Sequence, residues 1–352
     1  MKIISKKENN ALFTQAWNDY RDREVTGIGY SLDIIEYYLI TNAEFLVSDE
    51  SFVVMGGAHD SVCLGICSFP IYSDKNYYYS TSISPLSSQK KCLKICFNHV
   101  DEIADKFQLK KIEFSIDTTY SQYGEWKYNF LRDYGYIDCT TNDYIFNLND
   151  DSKSLFQKFN VSSRNILRKT LKNDDCDTLV YDNTSITKEV FLNYKKYHAI
   201  CAGRKTRTDR SFSYMLDLIQ NKKAILLEFN YTRKPVGYLI VFLIYPYAAL
   251  SSIANLPEYE RILPIYRMLY WKAIEYCANY KIMIYGFPAG SSLIDGFKSY
   301  MDKEQLAIAK YKEYMGGTCL PNFKGIKYYN YDAIDEDIKI FLKKMSENFY
   351  DK

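Results

Sequence analysis

The same order of predicted elements runs twice along this chain: strand, strand, strand, helix, strand, helix, strand, at an offset of about 170 residues. In the first copy, residues 51–58 and 61–69 read as strands about a His59-Asp60 turn, and 77–84 as a third. Residues 89–107 carry Cys92, Leu93, Cys96, Val100, Ile103 and Ala104 at helical spacing. A strand over 110–116, a helix over 125–133 and a terminal strand over 136–147 complete the unit. In the second copy, strands over 224–229, 236–244 and 248–254 precede an amphipathic helix over 262–280, a strand over 282–285, a helix over 292–300 and a strand over 306–314. Identity between the halves is slight, so the repeat is one of pattern. The predicted fold is α+β, two mixed-sheet domains in tandem over 1–150 and 151–352. A helical insert over 151–221 opens the second. There Asp151 or Ser152 caps a helix bearing Leu155, Phe156, Phe159, Ile166 and Leu167, with further helices over 188–202 and 211–219. The tail over 332–349 is one more amphipathic helix.

Composition removes several classes of function. At 352 residues the chain is long for one core, which agrees with two domains. A formal charge of +2 gives no whole-molecule field toward nucleic acid or membrane. The nine cysteines form no CxxC pair, and with only three histidines, at 59, 99 and 198, no zinc-ligand spacing is present. Reduced structural cysteines imply a reducing compartment. The apolar run 238–247 is half what a spanning helix needs, and residues 1–13 lack the apolar core of a signal peptide. The expectation is a cytoplasmic protein with no membrane span, no bound cofactor and no metal.

Chemistry concentrates in the second half. Between Lys158 and Arg210 stand 12 Lys/Arg against 6 Asp/Glu, a local net of +6. Arg164, Arg168, Lys169 and Lys172 share a helix face, whose simplest reading is solvation. Arg204, Lys205, Arg207 and Arg210 lie beside a helix start, where arginines suit bidentate capture of phosphate or carboxylate. With Arg164 and Arg168, the cluster 204–207 is expected to face a groove between the units and hold an anionic substrate. His198 reads as a structural histidine before a general base. Ser251, Ser252 and Asn255 either bond across strands or line a cleft, and Tyr266 either packs or donates at a cleft; both readings stay open. No Gly-x-Ser-x-Gly elbow exists. Near the end of the second copy, Tyr285-Gly286-Phe287 is followed by Gly296-Phe297-Lys298, a strand end and then an aromatic-lysine pair on a short helix.

This tandem order resembles the GNAT acyltransferase fold used twice, as in the FemAB family of aminoacyl and acyl transferases. Phe159 and Asn165-Ile166-Leu167-Arg168-Lys169 are similar to the family's basic helix. Arg204-Lys205 with Ser211-Phe212 resembles its next helix entry, and Leu269-Tyr270-Trp271-Lys272 its long helix. The resemblance implies that Lys298 and the backbone of Phe297 stabilise negative charge on a carbonyl oxygen under attack by an amine. It places Tyr285, Arg164, Arg168, Arg204, Lys205 and Arg207 among substrate-binding candidates. The implied activity is N-acyl or aminoacyl transfer to an amine of an anionic cell-envelope precursor, peptidoglycan or surface polysaccharide. The donor stays open between aminoacyl-tRNA, which would make tRNA a partner, and acyl-CoA. Before the long helix, where acyl-CoA enzymes carry glycine, residues 256–261 hold none and include Glu258 and Glu260. One alternative is acyl-CoA-dependent acylation of an amino sugar; another is a non-catalytic tandem module that binds a ligand.

Overall fold

The computed structural model describes all residues except 25, 59–60, 75–76, 125–126, 285–302 and 351–352. In chain order the elements begin β1 (Lys2–Ser5), α1 (Asn10–Arg23), α2 (Leu32–Thr41), β2 (Leu46–Asp49), β3 (Phe52–Gly56), β4 (Val62–Cys67), β5 (Pro70–Ser73) and β6 (Tyr78–Ile83). Next come α3 (Lys90–Lys106), β7 (Lys111–Ser115), α4 (Thr118–Tyr123), β8 (Ile137–Asp138), β9 (Thr141–Asn147), α5 (Ser152–Gln157), α6 (Val161–Thr170) and β10 (Cys176–Tyr181). The second half holds α7 (Lys188–Ala202), α8 (Asp209–Gln220), β11 (Ala224–Tyr231), β12 (Lys234–Ile244), β13 (Tyr247–Asn255), α9 (Pro257–Glu260) and α10 (Ile265–Tyr276). It ends with β14 (Ile282–Ile284), α11 (Lys303–Tyr314), β15 (Thr318–Asn322), β16 (Lys324–Tyr328) and α12 (Tyr331–Tyr350).

The first unit gathers Met1–Asn142 and Pro321–Lys352. Its sheets run β1-β3-β4 and β2-β5-β6-β7-β16-β8. Asn9 starts α1 by accepting from the Leu12 amide at 3.0 Å, and Phe13, Ala16, Trp17 and Tyr20 then face inward at helical spacing. The α3 face follows the sequence pattern: Cys92, Leu93, Cys96, Val100, Ile103 and Ala104 are all buried. Each large apolar side chain in this core contributes about 1.5–3 kcal/mol. Gly65 on β4 lets α3 lie close, because a Cβ there would stand 2.7 Å from Cys92 Sγ.

The second unit gathers Asp143–Phe287 and Ala307–Leu320. Its seven-stranded sheet runs β10-β11-β12-β13-β14-β9-β15. The first four strands are antiparallel, β13 and β14 parallel, and β14 and β9 antiparallel. All but one residue of β11 and nine of the eleven in β12 are buried, since both faces of these strands are covered. The two larger sheets repeat one plan. In each, an antiparallel series meets a parallel neighbour (β6 with β7, β13 with β14), and the next strand comes from elsewhere in the chain. β16 fills that place beside β7, and β9 fills it beside β14.

Several expectations are corrected. The division at residue 150 fails, because β16 belongs to the first unit and β9 lies in the second unit's sheet. The strand expected over 306–314 is the helix α11: Lys303-Glu304-Gln305-Leu306-Ala307 and its continuation are strong helix formers. The helix expected over 125–133 is α4 instead, capped by Asp117 through the Thr119 amide at 2.9 Å, with a separate 3-10 turn over Phe130–Tyr134. The strand expected over 136–147 is two strands, β8 and β9, in different sheets. The insert also carries an edge strand, β10, where the sequence pointed only to helices. The helix expected over 292–300, with Tyr285, Phe297 and Lys298, lies outside the described residues.

Candidate functional site

Strand β13 of the second unit carries the candidate site. β13 pairs with β14 only from Tyr247 to Ala249, opposite Ile282 to Ile284, and then continues to Asn255. A register shift against Ile240 and Val241 marks the same stretch of β13. Among the described residues, the β14-side edge from Leu250 to Asn255 has no ladder partner. In the first unit, by contrast, β6 and β7 stay paired from Tyr79–Lys111 to Ile83–Ser115.

Helix α7 lies over β13 at this point. Thr187 caps its start, and Gly203, at φ 65°, ends it in the left-handed conformation that glycine adopts without steric cost. The chain then turns through Arg204–Arg207 into α8, which Thr208 caps through the Ser211 amide at 3.1 Å. This turn brings the Arg207 guanidinium down onto the sheet. It donates to Ser252 Oγ at 3.0 Å and to His198 Nε2. Tyr194 donates to the same Ser252 oxygen at 2.8 Å. An arginine keeps its proton, so His198 must present a lone pair at Nε2 and carry its hydrogen on Nδ1, 3.4 Å from Thr206 Oγ1. Burial first, and Arg207 second, lower the His198 pKa to about 4. His198 is thus a neutral support for Arg207, with no lone pair left to take a substrate proton.

Arg207 itself is half-buried, and among the described residues no carboxylate pairs with it. Its neighbour Lys205 meets Asp209 at 3.1 Å, and Lys195 meets the same carboxylate at 3.0 Å, which holds that carboxyl below its usual range. A cavity of about 350 Å³ adjoins them, lined by Lys195, Lys196, His198, Lys205, Thr206 and Phe212. Arg204 is exposed. A second hydrogen-bonded group closes the far end of β13. There Asn255 Oδ1 accepts from Tyr266 Oη at 2.7 Å and from Cys201 Sγ at 3.3 Å.

The other two arginines are used locally. Arg164 donates to the carbonyls of Gln157 at 2.8 Å and Phe159 at 2.5 Å, tying the end of α5 to α6. Arg168 donates to Asn165 at 3.3 Å and lies over the Phe156 ring at 5.3 Å. No hydrogen bond among the described residues links either to Arg207. Sequence reasoning reached Arg207 through the arginine cluster and left Ser252 open. It missed Tyr194 and Thr206, for which a single sequence carries no signal. Among the described residues, no group of three or more His, Cys, Asp or Glu could hold a metal, and no helix is long and apolar enough to cross a membrane.

No family model and no curated protein matches the sequence. Solved structures do match its fold, which is that of FemAB-like proteins built from two GNAT units. FemX is 12% identical, with 92% of this chain and 97% of that one covered at a TM-score of 0.62. The C-terminal domain of a candidate lysylphosphatidylglycerol synthetase from Agrobacterium fabrum is 8% identical, covering 93% of each chain, with a TM-score of 0.57. A tandem GNAT protein of the clavulanic acid biosynthesis pathway is 11% identical, covering 94% of this chain and 98% of that one, with a TM-score of 0.53.

Proposed function

We propose that this chain transfers an aminoacyl or acyl group to an amine of an anionic cell-envelope component. The observation that carries the reading is Arg207, a half-buried cation that pairs with no carboxylate among the described residues, braced by Ser252 and His198 over β13. A desolvated guanidinium with no internal counter-charge favours a ligand phosphate or carboxylate. The likeness to a domain named for lysylphosphatidylglycerol synthesis supports an aminoacyl group as the cargo and an envelope component as the acceptor. Aminoacyl-tRNA is the donor this reading prefers. Glu258 and Glu260 stand where an acyl-CoA pyrophosphate would need free amides and positive charge, whereas the insert offers a local excess of cations.

In the reaction, the neutral amine attacks the ester carbonyl to form the C–N bond, and collapse of the tetrahedral intermediate breaks the ester C–O bond, the ribose hydroxyl leaving with the proton the amine gives up. The developing oxyanion is stabilised by Lys298 and the Phe297 amide, roles that rest on the family resemblance of Gly296-Phe297-Lys298. Arg207 holds the anionic end of the acceptor and takes no part in proton transfer.

Mass spectrometry of products from aminoacyl-tRNA or acyl-CoA, offered with nucleotide-linked muropeptide or anionic lipid acceptors, tests the proposal. Arg207→Ala is expected to raise KM for the acceptor by about tenfold or more, with Arg207→Lys intermediate. Lys298→Ala is expected to lower kcat by about a hundredfold with KM little changed. Acylated product from neither donor, or an unchanged KM in Arg207→Ala, would defeat it.

A further inference from the structure

Under α7, on the same face of the second unit's sheet, stands a carboxylate that no cation among the described residues joins. Glu228 on β11 is 5% exposed. Its Oε1 accepts from the Tyr181 hydroxyl at 3.3 Å and from Asn230 Nδ2 at 3.1 Å. Among the described residues no Lys, Arg or His reaches either oxygen. Tyr238 faces Glu228 directly across the β11–β12 ladder, and its buried hydroxyl interacts with that carboxylate. The Tyr197 ring stands edge-on to Tyr238 at a centroid distance of 5.2 Å. Burial first, then the charge of Glu228, raises the pKa of Tyr181, Tyr197 and Tyr238 alike. Tyr181 and Tyr238 thus meet the carboxylate, while Tyr197 packs on Tyr238 and donates its hydroxyl to the Pro235 carbonyl at 2.9 Å; Tyr181 and Tyr197 remain half-exposed.

Both groups that bond Glu228 are donors, and no cation among the described residues joins them. A buried carboxylate favours a cationic partner. The faces of tyrosine rings attract a weakly hydrated cation. A divalent metal would need more ligating side chains than one carboxylate, and no such group exists among the described residues. We propose that Glu228, with Tyr181, Tyr197 and Tyr238, binds the ammonium head of an amine-bearing ligand. The site takes the opposite charge to the Arg207 site and does not depend on the acyl-transfer reading.

Thermal shift and calorimetry on the full chain, with n-butylammonium and tetramethylammonium chloride against potassium chloride at equal ionic strength, provide the test. A saturable rise in Tm with either ammonium salt beyond that with potassium is expected. Glu228→Gln should weaken binding by about tenfold, the scale of a desolvated charge or cation–π contact. Tyr181→Ala, on a half-exposed edge strand, should weaken it severalfold and serves if the Gln variant does not fold. Arg207→Ala should leave ammonium binding intact, which separates this proposal from the preceding one. Equal effects of ammonium and potassium on the wild type, or full affinity in Glu228→Gln or Tyr181→Ala, would overturn it.

Discussion

His198 shows how one contact decides a residue's role. A lone histidine late in an amphipathic helix is open to several uses; the guanidinium against its Nε2 reduces them to one. The consequence is measurable. Its folded pKa, about 4, lies below the ordinary value of 6.5, so between these values the unfolded chain binds more protons than the folded one. Stability from this group is complete above about pH 6.5, falls as the pH drops toward 4, and then levels off. Denaturant midpoints between pH 7 and 4 are expected to fall more steeply for the wild type than for His198→Gln. Parallel curves would mean that neither burial nor Arg207 depresses the imidazole. Ser252 lies at the other limit of legibility. Its hydroxyl receives Arg207 and Tyr194 from segments 45 and 58 residues away, and no local pattern encodes such a meeting.

Elements were legible where one face is buried by a regular partner. The face of α3 emerged from periodicity because a helix against a sheet needs an apolar stripe every 3.6 residues. The same physics explains Gly65, where the strand must give way to two thiols. Gly65→Ala would set a Cβ 2.7 Å from Cys92 Sγ and 3.2 Å from the Leu86 carbonyl. The expected cost is about 1–3 kcal/mol of overpacking, with partial recovery in Gly65→Ala/Cys92→Ala. Chemical denaturation reads both values, and a single variant as stable as the wild type would show that α3 shifts freely. Elements were illegible where pattern and propensity disagree. In α11, Leu306, Ile308 and Tyr311 mimic a strand's spread of apolar residues, but Ala, Lys, Glu and Gln between them favour helix. α4 was misplaced for a different reason: its start is set by the Asp117 side chain, which bonds both the Thr119 amide and, at 2.9 Å, the distant Gly29 amide.

At the scale of the whole molecule, the placing of β9 and β16 is the feature that sequence order conceals. β7 pairs with β16 from Lys111–Tyr328 to Ser115–Lys324, and β16 in turn carries β8. Removing residues 323–352 should strip β7 of that ladder and expose its amides. Hydrogen exchange of residues 111–115 is expected to accelerate strongly, while β11 and β12 keep their protection. Retained protection at β7 would mean that the first unit completes its sheet without the C-terminal strand. The sequence by itself determined the run of strands followed by a helix and a strand in each half, the α+β class and the candidate arginine cluster, because helical period, strand period and charge density are local properties. Only the tertiary structure decided which strand lies beside β7 and which beside β14, and that Arg207 and Glu228 stand half-buried and buried with no opposite charge paired to them among the described residues. Those facts depend on contacts between residues tens to hundreds of positions apart, chosen by burial and hydrogen-bond satisfaction over a whole unit, and a one-dimensional pattern carries no record of that choice.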